Sequence, residues 1–400
     1  MRRPYRIAGP LCAALAWGGV AAFAAPVQAQ DAAIDDSSGQ LIDLDWSVGL
    51  RGSYTNDSAM GSLYKAIVAP EASLTRHYLG GDASVGAGAA ASIDQNKTIR
   101  LEDAHANAAS SFTLDEFTTL KGSIEVSTIQ LSPFDSSLPA DTAVTPRETT
   151  GTATGSATRK LGQFDFTGTL TGTRFVEGPT TLADSSIVDN SDQSYWLGTA
   201  TLRTGFEFTP KIALFVEGSD AYTRYDAANP SLGVFFNNQT LTLRGGVSYT
   251  QPGTFVAEAS VGRGFINYAD PSLTDRQAWV TNGTLTFTPD ETVELVGALD
   301  TSIGPSTTVA GDTDVGYSLS GSAKYLVNPW LTLRGTASFD HVITLGSHDT
   351  DDTVSAGAGF DFANTKHSAW SVDYLFSRDQ KSGLPATNTH TVTVGLTIKK

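Results

Sequence analysis

Cysteine is all but absent. The single residue, Cys12, falls within the first thirty positions. A chain trimmed there has no thiol left for a disulfide, a nucleophile or a Cys-containing zinc site. Basic charge is in the minority, with 26 Lys and Arg against 42 Asp and Glu, for a formal net charge of −16. That balance excludes nucleic acid and polybasic attachment to anionic lipid, since both need a cationic patch. Long apolar runs are missing as well. After the first thirty residues nothing approaches the roughly 18 apolar residues a helix needs to cross a bilayer. This excludes helices in a membrane and says nothing about strands in one. Catalytic patterns are scarce too. No G-x-S-x-G elbow occurs, and the nearest stretch, GYSLSG from Gly316, has Ser320 where the second glycine belongs. None of His77, His105, His341, His348, His367 and His390 stands four residues from another, so no helical metal pair exists. The acidic stretches His348 to Thr353 and Asp189 to Asp192 lack calcium-loop spacing. The residues point to no enzyme, no cofactor and no metal.

What is present starts with an export address. Arg2, Arg3 and Arg6 precede an apolar run from Leu11 to Phe23, and Val27-Gln28-Ala29 supplies small residues for cleavage. The expected organisation is a signal peptide over 1–29, a polar periplasmic leader over 30–45 and one β-domain over 46–400. Within that domain the chain alternates. Trp196, Ala200, Leu202, Phe206 and Phe208 interleave with Thr199, Thr201, Arg203 and Glu207. Leu331, Leu333, Ala337 and Phe339 interleave with Thr332, Arg334, Ser338 and Asp340. A period of two residues marks strands with one wet face and one dry face. Between Lys97 and Ser110 the parity switches near Glu102, which predicts a bulge.

The connections sort themselves by length. Tight turns are expected at Thr209-Pro210-Lys211, Gln251-Pro252-Gly253, Thr288 to Glu291 and Val327 to Trp330. Long polar stretches fall between them, at Glu177 to Gln193, Asp226 to Asn238, Tyr268 to Asp275 and Gly304 to Asp312. Strict alternation of short and long connections is the habit of an outer-membrane barrel, whose short turns are periplasmic and whose long loops are external. The fold class predicted is all-β: a transmembrane antiparallel up-and-down β-barrel of about eighteen strands, with sixteen as the next number.

Strand number then decides which face is wet. A barrel of sixteen to eighteen strands is too wide for side chains to fill, so its interior holds water or a plug. The charged positions must turn inward and the apolar ones outward to lipid. The predicted lumen-facing set is Arg51, Arg203, Glu207, Glu217, Arg244, Glu258, Glu294, Arg334, Asp340 and Asp373. Tyr54, Trp196, Tyr225, Tyr249, Tyr268, Trp279, Tyr325, Trp330, Trp370 and Tyr374 are candidates for the aromatic girdles at the two interfaces.

The stretches IALFVEGSDAYTRYD (from Ile212), VAEASVGRGFINYADPSLTD (from Val256), WLTLRGTASFDHVI (from Trp330) and the closing NTHTVTVGLTIKK resemble the β-barrel porin family, outer-membrane β-barrel proteins of Gram-negative bacteria. The final Lys399 and Lys400 depart from the aromatic residue on which such barrels usually end. The resemblance implies the cell outer membrane and a porin-like passive channel for small polar solutes. The alternative it leaves open is a structural or accessory barrel associated with surface polysaccharide export, in which 133–146 or 177–193 folds inward to close the lumen. Implied partners are outer-membrane lipid and lipopolysaccharide, the outer-membrane assembly machinery, small polar solutes and, under the alternative, surface polysaccharide. It brings no catalytic residues.

Overall fold

The computed structural model describes residues 42–400, except 136, 137, 140, 307, 308 and 310. The expected signal peptide, and the leader up to position 41, lie outside the described residues. The elements in chain order open with β1 (Ile42–Asp57), β2 (Gly61–Tyr78), β3 (Gly81–Asp94), β4 (Ile99–Asp115) and β5 (Thr118–Gln130). Next come the short β6 (Thr142–Val144), then β7 (Arg147–Leu161), β8 (Phe164–Glu177), and the short β9 (Thr180–Leu182) and β10 (Ile187–Val188). After a 3-10 turn at Ser191–Gln193 follow β11 (Tyr195–Thr209), β12 (Ile212–Tyr225), β13 (Asn238–Gln251) and β14 (Phe255–Tyr268). The chain continues with β15 (Arg276–Asp290), β16 (Val293–Pro305), β17 (Thr313–Asn328) and β18 (Leu331–Thr344). It closes with β19 (Thr350–Thr365), β20 (Ser368–Lys381) and β21 (Thr387–Lys399).

Eighteen of these strands form one sheet, each antiparallel to the next. The sheet closes where β1 pairs with β21, from Ser47 opposite Lys399 to Asp57 opposite Thr389. Closure satisfies every ladder without a free edge, as hydrocarbon demands. An even strand count puts the start of β1 and the end of β21 at the same rim. That rim carries the tight turns; the opposite rim carries the longer connections. β1 begins at Ile42, paired with Arg76, so the barrel starts before Trp46. The parity switch near Glu102 is a bulge: Ala90 pairs with Asp103 and Ala91 with Leu101, which leaves Glu102 as the extra residue.

The outer surface is apolar. Leu50, Val68, Leu170, Leu202, Val216, Leu243, Leu319 and Val394 are all exposed. Aromatic residues gather toward both rims of this surface. At the tight-turn rim Phe164 meets Phe206 at 5.1 Å and Trp330 meets Phe362 at 5.4 Å. At the loop rim Tyr54 meets Tyr64 at 4.6 Å, and Trp196 and Trp279 stand more than half exposed. Two expected girdle residues are not girdle residues. Tyr225 shares its face with Glu217 and is buried, with ring contacts to Tyr195 and Phe236. Tyr268 shares its face with Glu258 and donates or accepts a 2.8 Å hydrogen bond with Thr313. Both lie on the inner face, beneath loops, because parity and not proximity to a rim sets the direction of a side chain.

The buried apolar residues mark where those loops sit. Leu131, Phe175, Leu182, Tyr225, Phe236, Ile266, Ala278, Val280 and Val315 all lie at or near the loop rim. The connection 131–146 and the connection 178–194 pair with each other, as β6 with β9, and β9 pairs with β10. Their three-stranded sheet covers the inner ends of β7, β8 and β11. On the other arc, the connections 58–60, 95–98, 345–349 and 382–386 are short. The loop-rim mouth is roofed on one side only.

Candidate functional site, the charged inner wall

The inner wall is built by the same alternation that faces leucines to lipid. On β11 to β14, four of the predicted residues meet in one ion network. Arg203 stands opposite Glu217, and Glu217 opposite Arg244. Arg244 donates from Nε to Glu217 at 2.9 Å and from Nη2 at 2.5 Å. Arg203 reaches past them and makes a two-pronged bond to Glu258, at 2.8 and 2.6 Å. Its guanidinium lies 3.6 Å over the ring of Phe215, which fixes its direction. Paired forks of this kind are directional and stronger than single neutral bonds. Glu207, nearer the tight-turn rim, accepts a 2.7 Å bond from Lys160 of β7.

A second network lies on the opposite arc. Arg334 donates from Nη2 to Asp361 at 2.9 Å and to Asp373 at 2.8 Å. It can reach Asp373, two strands away, because Gly359 stands between them in the register. A Cβ at that position would collide with the Asp373 carboxylate and sit 2.8 Å from the carbonyl oxygen of Val372. Lys324 stands opposite both Glu294 and Arg334, and Arg51 stands opposite Gly395, from where its charge reaches Asp373. One register row therefore reads Glu294, Lys324, Arg334, Gly359, Asp373.

A third row, nearer the loop rim, carries no base. Asp300, Ser318, Asp340, Thr353 and Asp379 face one another in succession across β16 to β20. Asn282 donates to Asp300 at 2.9 Å and Thr353 donates to Asp379 at 3.3 Å. Opposite this arc the wall is made of hydroxyls: Thr152 with Thr173, Thr154 with Thr171, and Thr158 with Thr167 at 3.0–3.4 Å. All ten predicted residues stand at inward positions of the register. Arg203, Glu217, Arg244 and Glu258 join in one bonded network and Arg334 with Asp373 in another, while Arg51 and Glu294 are register neighbours of the second and Glu207 and Asp340 lie apart from both. Sequence reasoning passed over Asp361, Lys324 and Asp379. Asp361 was findable, since it stands between Phe360 and Phe362 in strict alternation.

The fold and this wall invite comparison with known proteins. Residues 50–400 match the family described as "Putative beta-barrel porin 2". The chain belongs to that family. It is an outer-membrane β-barrel of porin type, and family and fold place it with channels rather than enzymes. No curated protein matches it. Among solved structures, Pseudomonas aeruginosa OccK5 (OpdH) is similar at 11% identity and a TM-score of 0.44, over 90% of this chain and 98% of that one. The P. aeruginosa outer membrane protein OpdK is similar at 10% identity and 0.45, over 90% and 99%. P. aeruginosa OccK3 (OpdO) is similar at 10% identity and 0.46, over 89% and 96%. The family match, and not these distant likenesses, carries the assignment.

For a porin-family barrel, the useful contrast is between the wall and its roof. Midway along the barrel the side chains of Arg203, Arg244 and Glu258 remain about a quarter exposed, facing water across the lumen. Under the roof, Glu148 is 6% exposed and stands opposite Glu177. Asp192, in the 3-10 turn of the roof, is nearly as covered, and burial pushes its carboxyl above the ordinary carboxylate range. Among the described residues no cluster of His, Cys, Asp or Glu is arranged to hold a metal ion.

Proposed function

We propose that this barrel is a passive channel for small polar solutes that favours cations. The observation that carries the reading is the unequal pairing of the inner wall. Arg203 and Arg244 are matched by Glu217 and Glu258, and around Arg334 the bases Arg51, Lys324 and Arg334 are matched by Glu294, Asp361 and Asp373, so the excess lies in the third row. The row Asp300, Asp340, Asp379 adds three carboxylates on alternate strands with hydroxyls between them. A matched pair presents little net field at a distance. Unmatched carboxylates on a narrow aqueous wall lower the entry barrier for cations and raise it for anions. The lack of an apolar core through the middle of the barrel supports a water-filled lumen: apart from Ala69 and Phe215, the buried apolar residues sit toward the loop rim. Export by the segment 1–29, and contact of the aromatic rims with outer-membrane lipid and lipopolysaccharide, complete the proposal. The polysaccharide-accessory reading gains no support from a roof that covers only one arc.

The test is a planar bilayer with a tenfold KCl gradient. Discrete conductance steps with a reversal potential on the cation side are expected. Asn at 300, 340 and 379 together should move the permeability ratio toward unity. A folded barrel without steps removes the channel; steps with anion preference remove only the selectivity.

A further inference from the structure

Of the charges on the outer face, two stand well away from either rim. Asp220 on β12 shares its side of the strand with exposed Leu214, Val216 and Tyr222, and Arg263 on β14 faces outward opposite Leu243. Each lies five residues from the loop-rim end of its strand, since β12 ends at Tyr225 and β14 at Tyr268. At roughly 2.5 Å of height per tilted residue, that is about 12 Å below the rim, inside the apolar band of the outer leaflet. Asp220 has only Gln239 for company, at 2.8 and 3.0 Å, and Arg263 lies 4.3 Å over the ring of Trp279. Among the described residues neither makes an ion pair with its own barrel.

We infer that this face binds a second copy of the chain across a two-fold axis parallel to the barrel axis, with Asp220 of each copy against Arg263 of the other. Three features fit one axis. The two residues are two strands apart with β13 midway between them, so a two-fold axis normal to the membrane that passes in front of β13, beside Leu241 and Leu243, exchanges them. They lie at the same depth, which any axis normal to the membrane requires. The same rotation carries Trp279, three residues from its rim and more than half exposed, onto Gly198, three residues from its own rim. Gly198 lies in an outward groove of about 480 Å³, lined also by Ala153, Leu170, Gly172, Ala200 and Tyr222. Convex walls diverge away from their line of contact, and a tall indole over a glycine floor closes that gap. Small residues permit close approach in lipid, where burial of apolar surface drives nothing. The contact is isologous, so it closes as a dimer rather than extending.

The only cysteine in the sequence is Cys12, which makes cross-linking clean. L241C, on the proposed axis, should give a disulfide-linked dimer on a non-reducing gel after oxidation in native membranes, while V392C on the far wall should not. Light scattering in mild detergent should show a dimer that D220R or R263D converts to monomer and that D220R with R263D together restores. G198W should also give monomer; nothing lies within 4 Å of a Cβ at this position, so the barrel itself tolerates the change, checked by its heat-modifiable migration. A wild-type monomer, absence of the L241C cross-link, or a monomer carrying tightly held lipid on this face would each overturn the proposal. Channel activity is read separately, so failure here leaves the proposed function untouched.

Discussion

Replacing Gly359 by alanine tests the inner wall at its tightest point. The added Cβ would overlap the carboxylate of Asp373 and stand 2.8 Å from the Val372 carbonyl oxygen, where contacts normally begin near 3.5 Å. Moving backbone to relieve such overpacking costs about 1–3 kcal/mol. Displacing Asp373 also loosens its bond to Arg334. Breaking a fully buried pair costs about 3–5 kcal/mol, but the side chains of Arg334 and Asp373 are 16% and 19% exposed. Water can replace part of what is lost, so about 1–2 kcal/mol is the fair share. G359A should therefore destabilise the barrel by about 2–5 kcal/mol. Gly155 on β7 is the internal control. It faces outward with nothing within 4 Å of its added Cβ, and G155A should be neutral or stabilising by up to about 1 kcal/mol. Urea unfolding in lipid vesicles measures both. Adding D373A to G359A should recover part of the loss, because one of the two collisions disappears. Equal stability of G359A and G155A would mean that β19 and β20 do not turn these residues toward each other, and the reasoning fails.

Other outcomes follow from the same geometry. R203M should leave Glu258 without its fork, raise the cation preference of the channel in a bilayer recording and destabilise the barrel by about 1–3 kcal/mol. L182A removes a side chain that is 5% exposed in the roof and should loosen that sheet by about 2–4 kcal/mol; faster amide exchange confined to 180–188 is the readout. Because the folded Asp192 carboxyl is raised, its contribution to roof stability is fully present below the ordinary carboxylate range and lost as pH rises through the raised value. After correction for the intrinsic exchange rate at each pH, roof amides should be more protected in acid than at neutral pH, and D192N should flatten the dependence attributable to this group.

Much of this molecule was legible before its structure, for one physical reason. A side-chain period of two commits every residue of a strand to one of two environments, and a strand count too large for a packed core decides which is which. The inward direction of Arg244, Arg334 and Glu258 follows from parity alone. So does that of Asp361, which stands between Phe360 and Phe362. Parity also contradicts the girdle placement of Tyr225 and Tyr268, which share their faces with Glu217 and Glu258. What the sequence could not show was lateral. Which arginine meets which carboxylate depends on register between strands, and Arg203 forks to Glu258 three strands on while holding its direct neighbour Glu217 at only 3.9 Å. The pairing of 131–146 with 178–194 was equally hidden, since neither stretch alternates. The outward charges Asp220 and Arg263 were visible as exceptions to the pattern, but only the strand ends put each of them five residues from the loop rim.

The orientation of the two faces is the claim on which the rest depends, and a spin-label scan along β18 tests it most directly. Single cysteines from Thr332 to Asp340, labelled in membranes, should alternate. Positions 333, 335, 337 and 339 should be relaxed by oxygen dissolved in lipid, and 332, 334, 336, 338 and 340 by a water-soluble nickel complex. The opposite phase, or no alternation at all, would contradict the account.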